Sequence, residues 1–180
     1  MVYEVDLAAI AEVQEGNHNA YEIIVEKYYR GLVQHIFNYV NDGPTAEDIA
    51  QDAFIQAFYK LNQYKPEYAF STWLYKIADN LAYKYFKKLK NTTDIDEIAH
   101  KLEDDRPLPP DLLEKKLSNE KVKKAVDILP HNYKRVILLY YWQNLSYEEI
   151  AIITNKPIGT IRTWLSRAKL MLSKELYEQF

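Results

Sequence analysis

The sequence of 180 residues contains no cysteine, only four glycines and no long apolar run. Without cysteine the chain can form no disulfide, no Cys-ligated zinc or iron–sulfur site and no thiol nucleophile. The glycines, at positions 16, 31, 43 and 159, fit neither of the common Gly-rich phosphate-binding patterns. No apolar stretch approaches the ~20 residues of a membrane-spanning helix, and the acidic, amphipathic N-terminus is unlike a secretory signal. These absences favour a cytoplasmic protein with no direct membrane contact.

Patterns typical of catalysis or metal binding are scarce as well. Asp48 and Asp52 lie one helical turn apart, but no histidine completes a metal site with them. No serine stands in a nucleophile-elbow pattern. We therefore expect no catalytic residue, no metal and no cofactor, and a protein that is not an enzyme. The histidines are far apart in the sequence: His18, His35, His100 and His131.

Charge is distributed unevenly along the chain, although the total of 23 basic and 26 acidic residues gives a net charge of only −3. Residues 1–90 carry 9 basic and 12 acidic side chains, residues 91–111 carry 2 and 7, and residues 112–180 carry 12 and 7. The three parts therefore have net charges of −3, −5 and +5. A slightly acidic total argues against a nucleic-acid partner, but the basic C-terminal part has the opposite character.

The acidic middle part, residues 91–111, also contains Pro107, Pro109 and Pro110. Proline interrupts a helix, and acidic residues together with proline are typical of a solvated linker. A short helical turn around Ile95–Leu102 is compatible with the sequence. We therefore predict an N-terminal domain over residues 1–90, a linker over 91–111 and a C-terminal domain over 112–180.

Apolar residues recur with the helical period in both predicted domains, and no segment alternates as a strand does. We predict an all-α fold of two small helical domains joined by the acidic, proline-containing linker. Thr45, with Asp48 as its partner, is the expected cap of the third helix, Ser71 or Thr72 of the fourth and Ser118 of the fifth. The predicted helices are 6–14, 19–40, 45–61, 73–90, 119–129, 132–142, 146–154 and 158–177.

Residues 146–177 predict a helix-turn-helix in the C-terminal domain. Ser146 and Glu149 form a capping box, Ala151 provides a small residue facing the second helix, and Asn155 tolerates the positive φ of the turn. Apolar residues at positions 161, 165 and 168 would face inward. The opposite face is polar and basic, as groups that contact bases and phosphates require. Its residues are Arg162, Thr163, Ser166, Arg167 and Lys169. An ordinary helical hairpin with a solvated basic face is the alternative.

The predicted helix 73–90 combines lysines with aromatic rings, and the loop before it adds Tyr64, Tyr68 and Phe70. Lysines that follow phosphates, rings that stack on bases and an amide that reads a base edge are what single-stranded nucleic acid binding needs. The alternative is a solvated lysine face above an aromatic core. The expected contacts are Tyr68, Phe70, Trp73, Tyr75, Lys76, Asn80, Tyr83, Lys84 and Lys87.

The predicted third helix has an acidic face, formed by Asp48, Gln51 and Asp52 beside Ile55. Such a face is suited to docking a basic helix of a partner, and an ordinary solvated surface is the alternative.

Four motifs stand in order along the chain. Ala46–Phe54 is similar to A-E-D-[LI]-x-Q-[DE]-x-F, and Phe70–Asn80 to F-x-x-W-L-[YF]-[RK]-I-A-x-N. Leu145–Ala151 is similar to L-S-x-x-E-I-A, and Pro157–Lys169 to P-x-G-T-V-[RK]-[ST]-R-[LI]-x-R-A-[RK]. Together these motifs resemble those of the extracytoplasmic-function (ECF) sigma factors of bacteria. The chain departs from the family at Trp164, where a basic residue is frequent, and at Asn155, where glycine is frequent.

The resemblance implies a promoter-specificity subunit of RNA polymerase that serves a stress- or signal-dependent promoter set. The C-terminal face would read the minus-35 element, and the loop and helix with lysines and rings would read the minus-10 element and assist strand opening. The implied partners are promoter DNA, the clamp helices of the largest polymerase subunit, the flap of the second-largest subunit and an anti-sigma factor. The core polymerase contacts would be Asp48, Gln51, Asp52, Phe54, Ile55 and Phe58.

Two other classes of protein remain compatible with parts of the sequence. A dimeric DNA-binding regulator would also use the helix-turn-helix, but it has no need of a helix rich in lysine and aromatic residues. A helical interaction protein without a DNA partner would not need the basic face at residues 162–169.

Overall fold

A computed structural model describes residues 2–90 and 120–177, and the chain divides after Lys90 into two compact units. Every regular element in the described residues is a helix, which confirms the predicted all-α fold of two helical domains. None of these helices is both long and apolar enough to cross a membrane. The predicted linker 91–111, the turn at Ile95–Leu102 and the cap at Ser118 lie outside the described residues.

The first unit is a bundle of three helices, α2, α3 and α4, with α1 packed on α2 and on the 3-10 turn that precedes it. Alanines 46, 50, 53 and 57 of α3 are fully buried, so the neighbouring helices approach its backbone closely. Ile24, Leu32 and Ile36 of α2 and Leu74 of α4 fill the space between them and are also fully buried. The helices are α1 (Val2–Gln14), α2 (Tyr21–Val40), α3 (Gly43–Tyr59) and α4 (Phe70–Lys90), with 3-10 turns at His18–Ala20 and Leu61–Gln63.

Helix α3 begins two residues earlier than predicted, and its cap is Asp42 instead of Thr45. The Asp42 carboxylate accepts a hydrogen bond of 2.9 Å from the Thr45 backbone N–H. Hydrogen bonding to the Thr45 side chain, and then to its backbone, holds the pKa of Asp42 below its usual value. Pro44 lies in the first turn, where its fixed φ suits a helix and its missing N–H costs nothing. Helix α4 likewise starts at Phe70, so neither Ser71 nor Thr72 is its cap.

Tyr75 is a second correction, because it is among the predicted single-strand contacts and the structure buries it to 7% exposure. Its hydroxyl lies where Gly31 of α2 has no side chain, since a Cβ on Gly31 would come within 3.0 Å of that oxygen. The ring of His35 meets the Tyr75 ring edge-on at 5.2 Å. Burial raises the pKa of Tyr75 to about 12. Tyr75 therefore joins α4 to α2 within the core of the first unit.

The second unit is built around its last helix, α8, against which α5, α6 and α7 all pack. The predicted single helix over residues 132–142 is α-helical only to Ile137 and continues as one π-helical turn. Four consecutive residues at this junction, positions 136–139, are buried. The elements are α5 (Glu120–Asp127), α6 (His131–Ile137), the π-helical turn Leu138–Trp142, α7 (Tyr147–Thr154) and α8 (Ile158–Tyr177).

Two basic residues of the second unit are buried and serve the fold. The Lys134 ammonium lies 2.7 Å from the Asp127 carboxylate, and the Arg135 guanidinium donates to the Ile153 carbonyl oxygen at 3.4 Å. These contacts connect α6 to α5 and to α7. The positive charge available at the surface of this unit is therefore smaller than the sequence count indicates.

Candidate nucleic-acid interface

The helix-turn-helix of the second unit begins with the predicted capping box at Ser146. The Ser146 hydroxyl accepts a hydrogen bond from the Glu149 backbone N–H at 3.2 Å. The Glu149 carboxylate in turn accepts from the Ser146 backbone N–H at 2.9 Å. This reciprocal pair of hydrogen bonds fixes the first residue of α7 and so the start of the helix-turn-helix.

The turn between the two helices is closed by Asn155, which has the predicted left-handed backbone (φ 54°, ψ 44°). The N–H groups of Asn155 and Lys156 both donate to the Ala151 carbonyl oxygen. Asparagine adopts this conformation more readily than other residues with a side chain. The turn therefore ends α7 sharply and allows α8 to begin at Ile158.

Helix α8 separates apolar from polar residues as the sequence predicts. Ile161, Leu165 and Ala168 are at most 1% exposed. Arg162, Thr163 and Ser166 are exposed on the other side, and Arg167 is partly exposed. The Thr163 hydroxyl donates to the Gly159 carbonyl at 2.9 Å, which orients its oxygen as an acceptor. The face presents guanidinium and hydroxyl groups that can pair with base edges and phosphates.

Two side chains of α8 have intramolecular roles that the sequence does not show. Trp164 belongs to the core, because it is only 7% exposed. The Lys156 ammonium lies 5.7 Å from the centre of the Trp164 ring. Lys169 lies over two rings of the π-helical turn, 5.5 Å from the centre of Tyr140 and 5.6 Å from that of Tyr141. Cation–π contacts of this kind position the ammonium group.

In the first unit, the loop between α3 and α4 is supported by a cluster of aromatic rings from Tyr28, Tyr64, Phe70 and Trp73. The Phe70 ring is central, with ring centroids 5.3 Å from Tyr64, 5.5 Å from Trp73 and 6.0 Å from Tyr28. The Tyr64 hydroxyl donates to the Tyr68 carbonyl at 2.8 Å across the loop. The cluster gives the loop a defined shape and leaves Tyr68 51% exposed at its surface.

The nine residues predicted to contact a single strand are therefore not all at the surface. Phe70 is 1% exposed and, like Tyr75, packs inside the bundle, so neither ring lies at the surface where the sequence predicts it. Trp73, Lys76 and Tyr83 are partly exposed, and Asn80 and Lys84 are exposed with Tyr68. The side chain of Lys87 lies outside the described residues.

The acidic face of α3 is exposed as predicted, with Asp48, Gln51, Asp52 and Ile55 all at the surface. Phe54 is an exception, because it is 5% exposed and stacks on Tyr29 of α2 with ring centroids 6.3 Å apart. The structure therefore places Phe54 in the core of the first unit and not on the exposed face that the resemblance implies for it.

Helix α3 also contributes aromatic residues beside its acidic face. Phe58 is half-buried, with its ring edge-on to His18 at 5.4 Å and to Tyr21 at 5.1 Å. Tyr59 is 78% exposed and was absent from the predicted contacts. Its position one turn after Ile55 is the signal that could have identified it, since the pair continues the outward stripe. The face is therefore acidic at one end and apolar at the other.

The described residues contain no group of three or more histidine, aspartate or glutamate side chains that could hold a metal ion.

Comparison with known protein families supports a two-part organisation. Residues 24–92 match the family model "Sigma-70 region 2", and residues 119–172 match "Sigma-70, region 4". The RNA polymerase sigma-H factor of Pseudomonas aeruginosa is 31% identical, over 98% of this chain and 96% of that protein. The ECF RNA polymerase sigma factor SigW of Bacillus subtilis is 34% identical, over 93% of this chain and 94% of that protein.

Solved structures show the same fold. CnrH, in its complex with the cytosolic domain of CnrY, superposes with a TM-score of 0.72 at 20% identity, covering 98% of this chain and 99% of that one. RpoE from Bartonella quintana, in complex with the anti-sigma factor NepR, gives a TM-score of 0.66 at 23% identity, covering 87% and 96%. The helical arrangement of both units therefore has counterparts in known structures.

Proposed function

The chain belongs to the ECF sigma factors of bacterial RNA polymerase, and we propose that it uses three separate surfaces for core polymerase, the minus-10 element and the minus-35 element. As a sigma factor it is a promoter-specificity subunit, an initiation factor whose partners are core RNA polymerase and promoter DNA. The resemblance drawn from the four sequence motifs is thereby confirmed. We propose residues 1–90 and 112–180 as the two functional domains, joined by the acidic linker 91–111.

The minus-35 element is read by α8, and the exposed face of this helix is the observation that carries the proposal. Arg162, Thr163 and Ser166 project from a helix whose opposite side is fixed by Ile161 and Leu165. A helix held rigidly in this way fits the major groove, where arginine pairs with guanine through two hydrogen bonds. Arg167 and Lys169 complete the basic face, and Lys169 is the proposed phosphate contact.

The minus-10 element is held by the loop and by the exposed side of α4. Tyr68 presents a ring for stacking, and Asn80 presents an amide that can read a base edge. Trp73 and Tyr83 add partly exposed rings, and Lys76, Lys84 and Lys87 lie along the same helix as phosphate contacts. Rings that stack on bases favour unpaired DNA, so this surface would also assist strand opening.

Core polymerase is bound by the outward face of α3, where Asp48 and Asp52 attract a basic partner and Ile55 supplies an apolar contact. The clamp helices of the largest subunit are the proposed partner of this face, and the flap of the second-largest subunit that of the second unit. Phe58 and Tyr59 extend the apolar end of the face. We further propose that an anti-sigma factor restrains the protein until a stress or other signal releases it.

The charge distribution favours action only within the polymerase complex. The whole chain has a net charge of −3, so the free protein is repelled by DNA phosphates. Docking on core polymerase would hold both units at the promoter and supply affinity through effective concentration. We place the protein in the cytoplasm, and on the nucleoid when it is part of the holoenzyme.

Run-off transcription with purified core polymerase and this protein on genomic fragments tests the proposal. We expect specific transcripts that core polymerase alone does not make, and their start sites would reveal both promoter elements. Binding of the free protein to an inverted repeat, without specific transcripts, would contradict the proposal and indicate a dimeric regulator instead.

A further inference from the structure

Helix α1 contains a buried carboxylate, Asp6, that is engaged by two side chains of α2. Asp6 is 2% exposed, although it lies in a helix whose neighbouring residues Val5 and Leu7 are exposed. One of its oxygens accepts from the Lys27 ammonium at 2.5 Å and the other from the Tyr28 hydroxyl at 2.6 Å. Hydrogen bonds to a buried charged group are stronger than neutral ones and fix both partners in place.

Tyr28 connects this carboxylate to the loop that precedes α4. Its ring contacts the Phe70 ring, and Phe70 contacts both Tyr64 and Trp73. Tyr64 and Trp73 also contact each other, with centroids 5.6 Å apart. Burial, and then the negative charge of Asp6, raise the pKa of Tyr64, so the field of the carboxylate extends to the loop.

Helix α1 also holds the start of the loop between α3 and α4. The side-chain amide of Gln14, at the end of α1, donates to the Leu61 carbonyl oxygen at 3.1 Å. Leu61 opens the 3-10 turn that follows α3 and is 2% exposed. Helix α1 therefore supports residues 61–70 at both ends, through Gln14 at the first and through Asp6 and Tyr28 at the second.

We infer that α1 positions the base-reading loop, with Asp6 as a positioning residue that acts through Tyr28 on Phe70. The inference rests on the proposed role of this loop at the minus-10 element. Rings bind bases well only when their orientation is fixed beforehand, because ordering them on binding costs affinity. The carboxylate fixes the Tyr28 ring, the Tyr28 ring fixes Phe70, and Phe70 holds Tyr64, whose hydroxyl donates to the Tyr68 carbonyl.

The test compares Asp6→Asn and Tyr28→Phe in the full chain, assembled with core polymerase. Tyr28→Phe removes only the hydroxyl that Asp6 binds and leaves the ring on Phe70. The readout is the affinity of each holoenzyme for single-stranded oligonucleotides that carry the minus-10 non-template sequence or a one-base change in it. We expect the ratio of the two affinities to fall about fivefold or more in both variants, with affinity for core polymerase unchanged.

Matched controls occupy the same two helices. Glu12→Gln changes an exposed carboxylate of α1 that accepts from Asn17, and Tyr29→Phe changes the neighbouring tyrosine, whose ring stacks on Phe54. Both should keep the wild-type ratio. Gln14→Ala removes the hydrogen bond from the end of α1 to the Leu61 carbonyl, at the other end of the loop, and should lower the ratio by a smaller factor, about twofold.

The outcomes separate this inference from the proposed function. A wild-type holoenzyme that binds both oligonucleotides equally would overturn the base-reading role of the loop, and the inference with it. A wild type that discriminates, with variants that discriminate equally well, would overturn the inference alone. Loss of core binding in Asp6→Asn and Tyr28→Phe at an unchanged ratio would also overturn it, because α1 would then serve only the stability of the bundle.

Discussion

The two proposed DNA-reading surfaces are built in opposite ways. On α8 the reading groups are polar and exposed, and the residues that hold the helix are apolar and buried. On the loop and α4, aromatic rings serve both purposes: Tyr68 is half-exposed, whereas Phe70, two residues later, is buried. In the sequence of α8, residue type therefore separates the proposed DNA-contacting residues from those that hold the helix. In the loop and α4 it does not, because aromatic residues have both roles.

The difference has a physical origin in what each surface reads. Base edges in the major groove of a duplex are recognised by hydrogen-bonding groups on a rigid helix. Unpaired bases are bound by stacking on rings, and rings are also favourable core residues. A surface for single strands is thus made of the same residue types as the core below it.

The largest expected effect is on stability, and it distinguishes the buried aromatic rings of the first unit from the exposed ones. Phe70→Ala should lower the free energy of unfolding by about 3–5 kcal/mol, because it removes the central ring of a packed cluster. Tyr68→Ala should change it by less than about 0.5 kcal/mol and still weaken minus-10 binding. Urea unfolding of the full chain measures the first quantity and oligonucleotide binding by the holoenzyme the second. Similar stability losses in both variants would remove the distinction between reading and supporting rings.

The next effect concerns α8, where reading and support are separate. Arg167→Ala should cost about 1–3 kcal/mol at the minus-35 element, since one guanidinium can pair with a base through two hydrogen bonds. Transcription from a promoter with a matched and an altered minus-35 element measures the loss. Lys174→Ala, on an exposed position two turns further along the helix, is the control. Equal transcription by Arg167→Ala and the wild type would contradict the role of this face.

A third prediction tests the surface that reads no DNA. Asp52→Lys reverses a charge at the centre of the outward face of α3, so affinity for core polymerase should fall about tenfold, or ~1.4 kcal/mol. Glu47→Lys makes the same change on an exposed position outside that face and should have a much smaller effect. A pull-down with unchanged core binding by Asp52→Lys would exclude α3 as the docking helix.

The smallest effect compares one substitution at two serines of the second unit. Ser146→Ala removes the capping box and should destabilise this unit by about 1 kcal/mol. Ser166→Ala, on the exposed face of α8, should leave stability within about 0.5 kcal/mol and weaken minus-35 recognition. Thermal unfolding and promoter binding together distinguish the two. If Ser146→Ala leaves the melting temperature unchanged, the capping box contributes nothing to the motif.

The C-terminal motif could be predicted in detail because its signals are local. The Ser146–Glu149 box spans three residues, Asn155 needs only its own backbone conformation, and the inward positions of α8 follow from the helical period. The predicted cap of α3, Thr45, is wrong although a capping signal is also local. Thr45 and Asp42 are both residue types that cap helices, so the residue type alone does not decide between them. Pro44 could have decided between them, because proline favours the first turn of a helix.

The remaining errors depend on contacts between residues far apart in sequence. Tyr75 is buried because Gly31, on another helix, leaves room for its hydroxyl. Asp6 can be buried because Lys27 and Tyr28 donate hydrogen bonds to its carboxylate, and no pattern around Asp6 shows this. The π-helical turn after Ile137 likewise depends on packing, since its sequence of apolar and aromatic residues is equally suited to an α-helix.

The placement of Trp73 gives the molecule a natural optical reporter. Its indole contacts Tyr64 and Phe70 in the loop cluster, whereas the other two tryptophans, Trp142 and Trp164, belong to the second unit. A chain in which phenylalanine replaces both Trp142 and Trp164 would emit from a single indole beside the proposed minus-10 surface. The fluorescence of that indole would follow capture of the unpaired strand in real time, without an attached dye.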